Sequence, residues 1–158
     1  MGYAERVLQP GETIVYRARL HWIIYFSAIV FLLVAAGLGI GAAVTRHDQT
    51  IMVALAVVAA IALLVGLWQL AGAWVRASST EIVVTTRRII YKTGFVTRNT
   101  VEMNLDKVES VLVRQGVIGR MLDYGTVIIR GVGAGLEPVA NIAAPLALHR
   151  HVSAPATA

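Results

Sequence analysis

WIIYFSAIVFLLVAAGLGIGAAV (22–44), TRHDQT (45–50) and IMVALAVVAAIALLVGLWQLAGAWV (51–75) together decide the fold of this chain. The first run has 23 residues and no charge, and the second has 25 with one strongly polar member, Gln69. About 20 apolar residues in a helix cross the hydrocarbon of a bilayer. Inside hydrocarbon the backbone must satisfy its own hydrogen bonds, so both runs are expected to be helices. The link between them is long enough only to turn around. A transmembrane helical hairpin, 22–44 and 51–75, is therefore expected. A buried helix pair in a soluble protein is the alternative, but helices apolar on every face need covering, and 158 residues leave little to cover them.

The composition agrees. The chain is 57% hydrophobic and 15% charged, below the roughly 25% charge of soluble domains. It contains no cysteine, which excludes disulfides, thiolate metal sites and cysteine nucleophiles. Of its net charge of +5, the part from Arg76 onward carries most, with ten Lys/Arg against six Asp/Glu. Lys and Arg flank the outer ends of both runs: Arg6, Arg17 and Arg19 before, and Arg76, Arg87, Arg88 and Lys92 after. The link has Arg46 alone. By the positive-inside rule both termini are cytoplasmic. The first run exceeds the 7–15 residues of a signal-peptide core, so no cleavage is expected.

Outside the hairpin the texture is that of short strands. Pro10-Gly11-Glu12 signals a turn, and residues 13–20 alternate as a strand would. This N-terminal segment, 1–21, then supplies a first strand to whatever follows the hairpin. Residues 81–85, 88–92, 96–105, 108–114, 126–130 and 138–143 read as further strands. Residues 145–152 read as a closing helix with Pro145 in its first turn. A domain over 76–152 and a disordered tail over 153–158 complete the chain. Short strands at close spacing predict an antiparallel sandwich or barrel of about seven strands.

Gly37 and Gly41 form a GxxxG, a spacing that lets helices approach closely. The expected neighbour is the second run, where Ala62 and Gly66 offer a similar small surface; dimerisation is the other use of the spacing. No carboxylate, Lys, Arg or His lies within either run, which argues against a proton or ion pathway.

Catalytic signals are weak throughout. Gly131-Val132-Gly133-Ala134-Gly135 is followed by Leu136-Glu137-Pro138, which cannot open the helix a dinucleotide fingerprint needs, so it reads as a hairpin loop. His149 and His151 have no carboxylate after Glu137 to complete a metal set and read as a solvated tail. Glu102, Asp106, Glu109 and Asp123 alternate with Lys107, Arg114 and Arg120 as charged faces do, with Arg120 expected to pair with Asp106 or Asp123. No serine has a His and Asp setting. Neither catalytic residues, cofactor nor metal is expected. The remaining feature is basic. Arg76, Arg87, Arg88, Lys92, Arg98 and Lys107 form a candidate surface for anionic lipid or a partner, each cation gaining about 1 kcal/mol near an anionic leaflet. The same charges would equally serve solubility and orientation. Nucleic acid is disfavoured, because no aromatic stacking pattern accompanies them.

Three segments resemble a known family. Thr85-Thr86-Arg87-Arg88-Ile89-Ile90-Tyr91-Lys92-Thr93-Gly94 is similar to the opening of bacterial membrane-anchored pleckstrin-homology-like (PH-like) domains. Glu102 to Val111 and Gly119 to Val127 resemble two later segments of that family, as do Gly11-Glu12 and His21-Trp22 its entry into a helical hairpin. The resemblance implies a PH-like seven-stranded bent sheet with a C-terminal helix, anchored in the bacterial inner membrane, and no catalysis. Thr86 stands where the family more often has Asp or Asn, a difference within a turn. Eukaryotic PH domains hold phosphoinositides in the loop between their first two strands. Here the hairpin replaces that loop, so no headgroup site carries over. The expected function is a non-enzymatic module that binds a partner protein, copies of itself or anionic lipid. A small subunit of a transport or envelope-maintenance complex, acting through its helices, is the alternative.

Overall fold

The computed structural model describes residues 7–45, 47–94, 99–132, 134–135 and 138–153. The chain divides into two compact units, Trp22–Val75 on one side and Met1–His21 with Arg76–Ala158 on the other. Expectations for Arg46, Arg98, Gly133, Glu137 and the tail beyond Ser153 lie outside the described residues.

In the helical unit a tight turn over Trp22–Tyr25 leads into α1 (Phe26–Val44), and α2 covers Gln49–Ser79. Asp48 begins α2, its carboxylate accepting from the amides of Thr50 and Ile51 at 3.0 and 3.2 Å. Trp22–Val44 and Gln49–Ser79 are each long and apolar enough to cross a membrane. α1 buries Ala28, Ala35 and Ala42, one small residue every two turns, and α2 buries Ala62, Gly66 and Ala73. A Cβ on Gly66 would lie 3.0 Å from Leu32 Cδ2 and 3.3 Å from the Leu32 amide nitrogen, so Gly66 marks the close approach. Gly37 does not take part: a Cβ there meets nothing within 4 Å, and one on Gly41 meets only Leu55, at 3.7 Å. The GxxxG expected to face α2 is thus rotated largely away, because an alanine stripe seven residues in period already occupies the contact.

The second unit is built on two sheets. β1 (Ile14–Ala18), β2 (Glu81–Thr85), β3 (Arg88–Thr93) and β4 (Asn99–Asn104) form an antiparallel sheet in that order. β5 (Val108–Arg114) pairs with β6 (Tyr124–Gly131), which pairs in turn with β7 (Ala134–Gly135) and β8 (Val139–Ala143). The chain past β1 joins the sheets: Leu20 bridges Ile142, the His21 amide donates to Asn141 O at 2.6 Å, and the Ala143 amide to Arg19 O at 3.0 Å. The first strand before the hairpin and the strands after it therefore share one core. β7 is an addition to the seven expected strands; it returns from the glycine-rich segment to pair with β6, as a hairpin loop would.

No barrel closes among the described residues. β4 and β5 share no ladder, because the tight turn Leu105–Lys107 redirects the chain and Lys107 O accepts instead from the Val132 amide at 3.1 Å. Alternation explains the core. Ile82 and Val84, Ile89 and Tyr91, and Met103 point inward from the first sheet; Val127, Ile129 and Ile142 point inward from the second. After the strands, the described residues of this unit add α3 (Val117–Met121), which the sequence reading did not anticipate, and α4 (Pro145–Ser153), whose Leu148 and Val152 enter the core.

Candidate functional site

The turn at Pro10-Gly11 places Gly11 at φ +81°, a conformation glycine adopts without strain, and carries Glu12 inward. The Glu12 amide donates to Gln9 O and the Gln9 amide returns a bond to Glu12 Oε2, both at 2.9 Å. The Glu12 carboxylate is wholly buried. It meets the end of β2, where the Thr85 hydroxyl donates to Glu12 Oε1 at 2.6 Å. Thr85 Oγ1 also accepts from the amides of Arg87 (3.3 Å) and Arg88 (3.0 Å), shaping the β2–β3 turn. Arg88 then closes the cluster. Its Nε and Nη2 donate to the two Glu12 oxygens at 3.0 and 2.9 Å, Nη2 also to Val7 O at 2.8 Å, and Nη1 to Glu102 at 2.7 Å.

Burial alone would push the Glu12 carboxyl up. The bonds from the Gln9 amide, Thr85 and Arg88, with the charge of Arg88, outweigh it and hold it below the usual carboxylate range. A carboxylate so saturated has no lone pair left for a substrate. The cluster is a clasp between the N-terminal segment and the β2–β3 turn.

This settles the part Arg88 can play in the expected basic surface. Its side chain is 11% exposed and held by two carboxylates, so no headgroup reaches it. Among the described residues, the other expected members sit on different elements. Arg87 is exposed in the β2–β3 turn, Lys92 is half-buried at the far end of β3, and Arg76 is exposed in the last turn of α2. Lys107 is exposed beside a separate hollow of about 220 Å³, lined also by Val101, Glu102 and Val132.

A larger cleft, about 900 Å³, opens next to the clasp. Its walls are Gln9, the turn at Thr86–Arg88, the end of β4 with Asn104, Leu105 and Asp106, the first half of β5 (Val108 to Val111), and Val152 and Ser153 of α4. The Leu105 amide donates to Arg87 O at 2.9 Å and ties two of these walls together. Among the described residues β5 has a ladder partner on one side only, β6, so backbone groups along its other edge lack a strand partner there. The charge of the cleft is mixed. Arg87 is its accessible cation, since Arg88 is neutralised by its partners, and Asp106 and Glu109 are exposed acids.

The remaining candidates have structural parts. Glu102 anchors Arg88, and Asp123 stands at φ +54° in the turn before β6. Arg120 forms no ion pair with Asp106 or Asp123 among the described residues. His151 is no solvated tail residue. Its ring stacks on Tyr16 with centroids 4.6 Å apart, and its Nδ1 lies 2.8 Å from Ala147 O, which helps to seat α4 on β1. No group of three or more metal-ligating side chains occurs among the described residues. The sequence reading missed the clasp. Its signal was the pairing of Gly11-Glu12 with Thr85 and Arg88, two resemblances that the fold joins into one network.

The family model described as bacterial PH domain matches residues 18–156 of the chain. No match was found among curated proteins or among solved structures.

Proposed function

The chain belongs to the bacterial PH domain family, and from that premise we propose that it is a membrane-anchored, non-enzymatic module whose cleft receives an extended segment of a partner protein. The observation that carries this reading is the one-sided edge of β5 along a cleft of about 900 Å³. An extended peptide gains main-chain hydrogen bonds by adding to such an edge, and neighbouring walls then select its side chains. One accessible guanidinium against two carboxylates suits a polypeptide of mixed charge better than a phosphate headgroup. A second copy of the chain is one such polypeptide.

The anchor is the hairpin. Leu33, Leu64, Trp68 and many other large side chains of α1 and α2 are exposed, and a bilayer is the cover such surfaces take. Lys and Arg outside both ends of the hairpin support a cytoplasmic position for the PH-like domain, at a bacterial inner membrane.

The test is a photo-crosslinking amino acid at Ser110, in the cleft, compared with Ala140 on β8, in the full chain in native membranes. A discrete protein adduct from Ser110 alone is expected. A phospholipid adduct would replace the protein ligand by a lipid. Absence of any adduct would move the function to the helices, as expected of a transport or envelope subunit.

A further inference from the structure

α3 is five residues long and lies on Tyr124 by its glycine side: Gly119 is buried, and a Cβ there would come within 2.6 Å of Tyr124 O. Gln115 Nε2 pins the turn, donating to Tyr124 O at 3.2 Å and Gly119 O at 3.4 Å. The opposite side is apolar and turned outward. Val117 is 78% exposed, Ile118 62% and Met121 80%. Arg114 and Arg120, both exposed, flank this tip, and no ion pair engages either among the described residues. Tyr124 stacks in turn on His21, with ring centroids 5.2 Å apart. His21 is the last residue before the hairpin begins at Trp22. The tip is therefore held beside the point where the chain leaves the β-unit.

We infer that α3 is a membrane-docking tip that lays Val117, Ile118 and Met121 into the headgroup layer of an anionic bilayer. This rests on the proposed anchoring of the hairpin. Apolar side chains between cations are what an anionic interface takes up, the apolar atoms entering the acyl boundary and the guanidinium groups meeting phosphate. Anchoring of the same chain by the hairpin keeps the tip at high effective concentration near the bilayer, so a weak interface is enough. Arg114 and Arg120 should each contribute about fivefold to the docking equilibrium on anionic lipid. The cleft opens at the start of β5 and the tip follows its end, so docking leaves the cleft free for its partner.

The chain has no cysteine, so Met121→Cys and Leu64→Cys each carry a single fluorescent label. The full chain is placed in nanodiscs of phosphatidylcholine with or without phosphatidylglycerol, and quenching by lipid-borne nitroxide is measured. The expected result is quenching at position 121 that strengthens with phosphatidylglycerol and falls sharply with Arg114→Glu and Arg120→Glu, while position 64 is quenched throughout. A label at 121 in water, beside a quenched label at 64, would overturn the docking and leave the anchor standing. A label at 121 that is shielded from water but unquenched would also overturn it, in favour of a protein cover. An unquenched label at 64 would overturn the anchor and the docking with it.

Discussion

Arg88 grips Glu12 side-on, Nε to Oε1 at 3.0 Å and Nη2 to Oε2 at 2.9 Å, across 76 positions that include the whole hairpin. With the pairing of β1 and β2, this pair brings together the two stretches of β-unit that the hairpin separates.

Glu12→Gln should destabilise the β-unit by about 3 kcal/mol, because a buried guanidinium then loses its principal partner. Glu12→Leu combined with Arg88→Met should cost less than the two single changes added. Denaturant midpoints of the full chain in detergent measure both, and strict additivity would show that the two side chains act independently.

The clasp also gives stability a sign with pH. The Glu12 carboxyl is lowered in the folded state, so its contribution is complete above the unfolded value of about 4.3. That contribution fades as pH falls through the lower folded value. Melting temperatures from pH 7 to pH 3 should drop more steeply for the parent chain than for Glu12→Gln. Parallel curves would contradict the lowered value.

Gly66→Ala and Gly37→Ala should separate cleanly. A methyl at 66 meets Leu32 at 3.0 Å and its backbone at 3.3 Å, an overpacking worth about 1–3 kcal/mol. At 37 it meets open space. Cysteine crosslinking between α1 and α2 should weaken for the first variant and stay unchanged for the second. If Gly37→Ala instead alters the mass of the purified particle, that face of α1 touches another copy.

Ala144 sits at φ +47°, where a Cβ is unfavourable by about 1–2 kcal/mol. Its carbonyl accepts from the Ala147 and Leu148 amides at the start of α4. Ala144→Gly relieves this strain at an entropic cost of about 0.4–1 kcal/mol. A net gain of about 0.5 kcal/mol, read as a small rise in melting temperature, is the expected outcome.

Much of this architecture can be read from local pattern. The uncharged runs read as helices because each has the length and composition at which a helix, pairing its backbone within itself, crosses an apolar layer. Alternation at 82–84, 89–91 and 127–129 marks strands because inward and outward positions follow a period of two. α3 escaped, since five residues are under two helical turns and hold no periodicity to detect.

By itself, then, the sequence determined which segments are apolar helices, which are strands, and the family to which their motifs belong. Each of these is a property of neighbours along the chain. Only the tertiary structure decided that Arg88 is a clasp and not a surface cation, that Gly66 and not Gly37 meets the facing helix, and that β5 keeps an open edge beside a cleft. Those outcomes depend on which residue arrives from 30 to 80 positions away and on how each helix is rotated, and local composition carries neither.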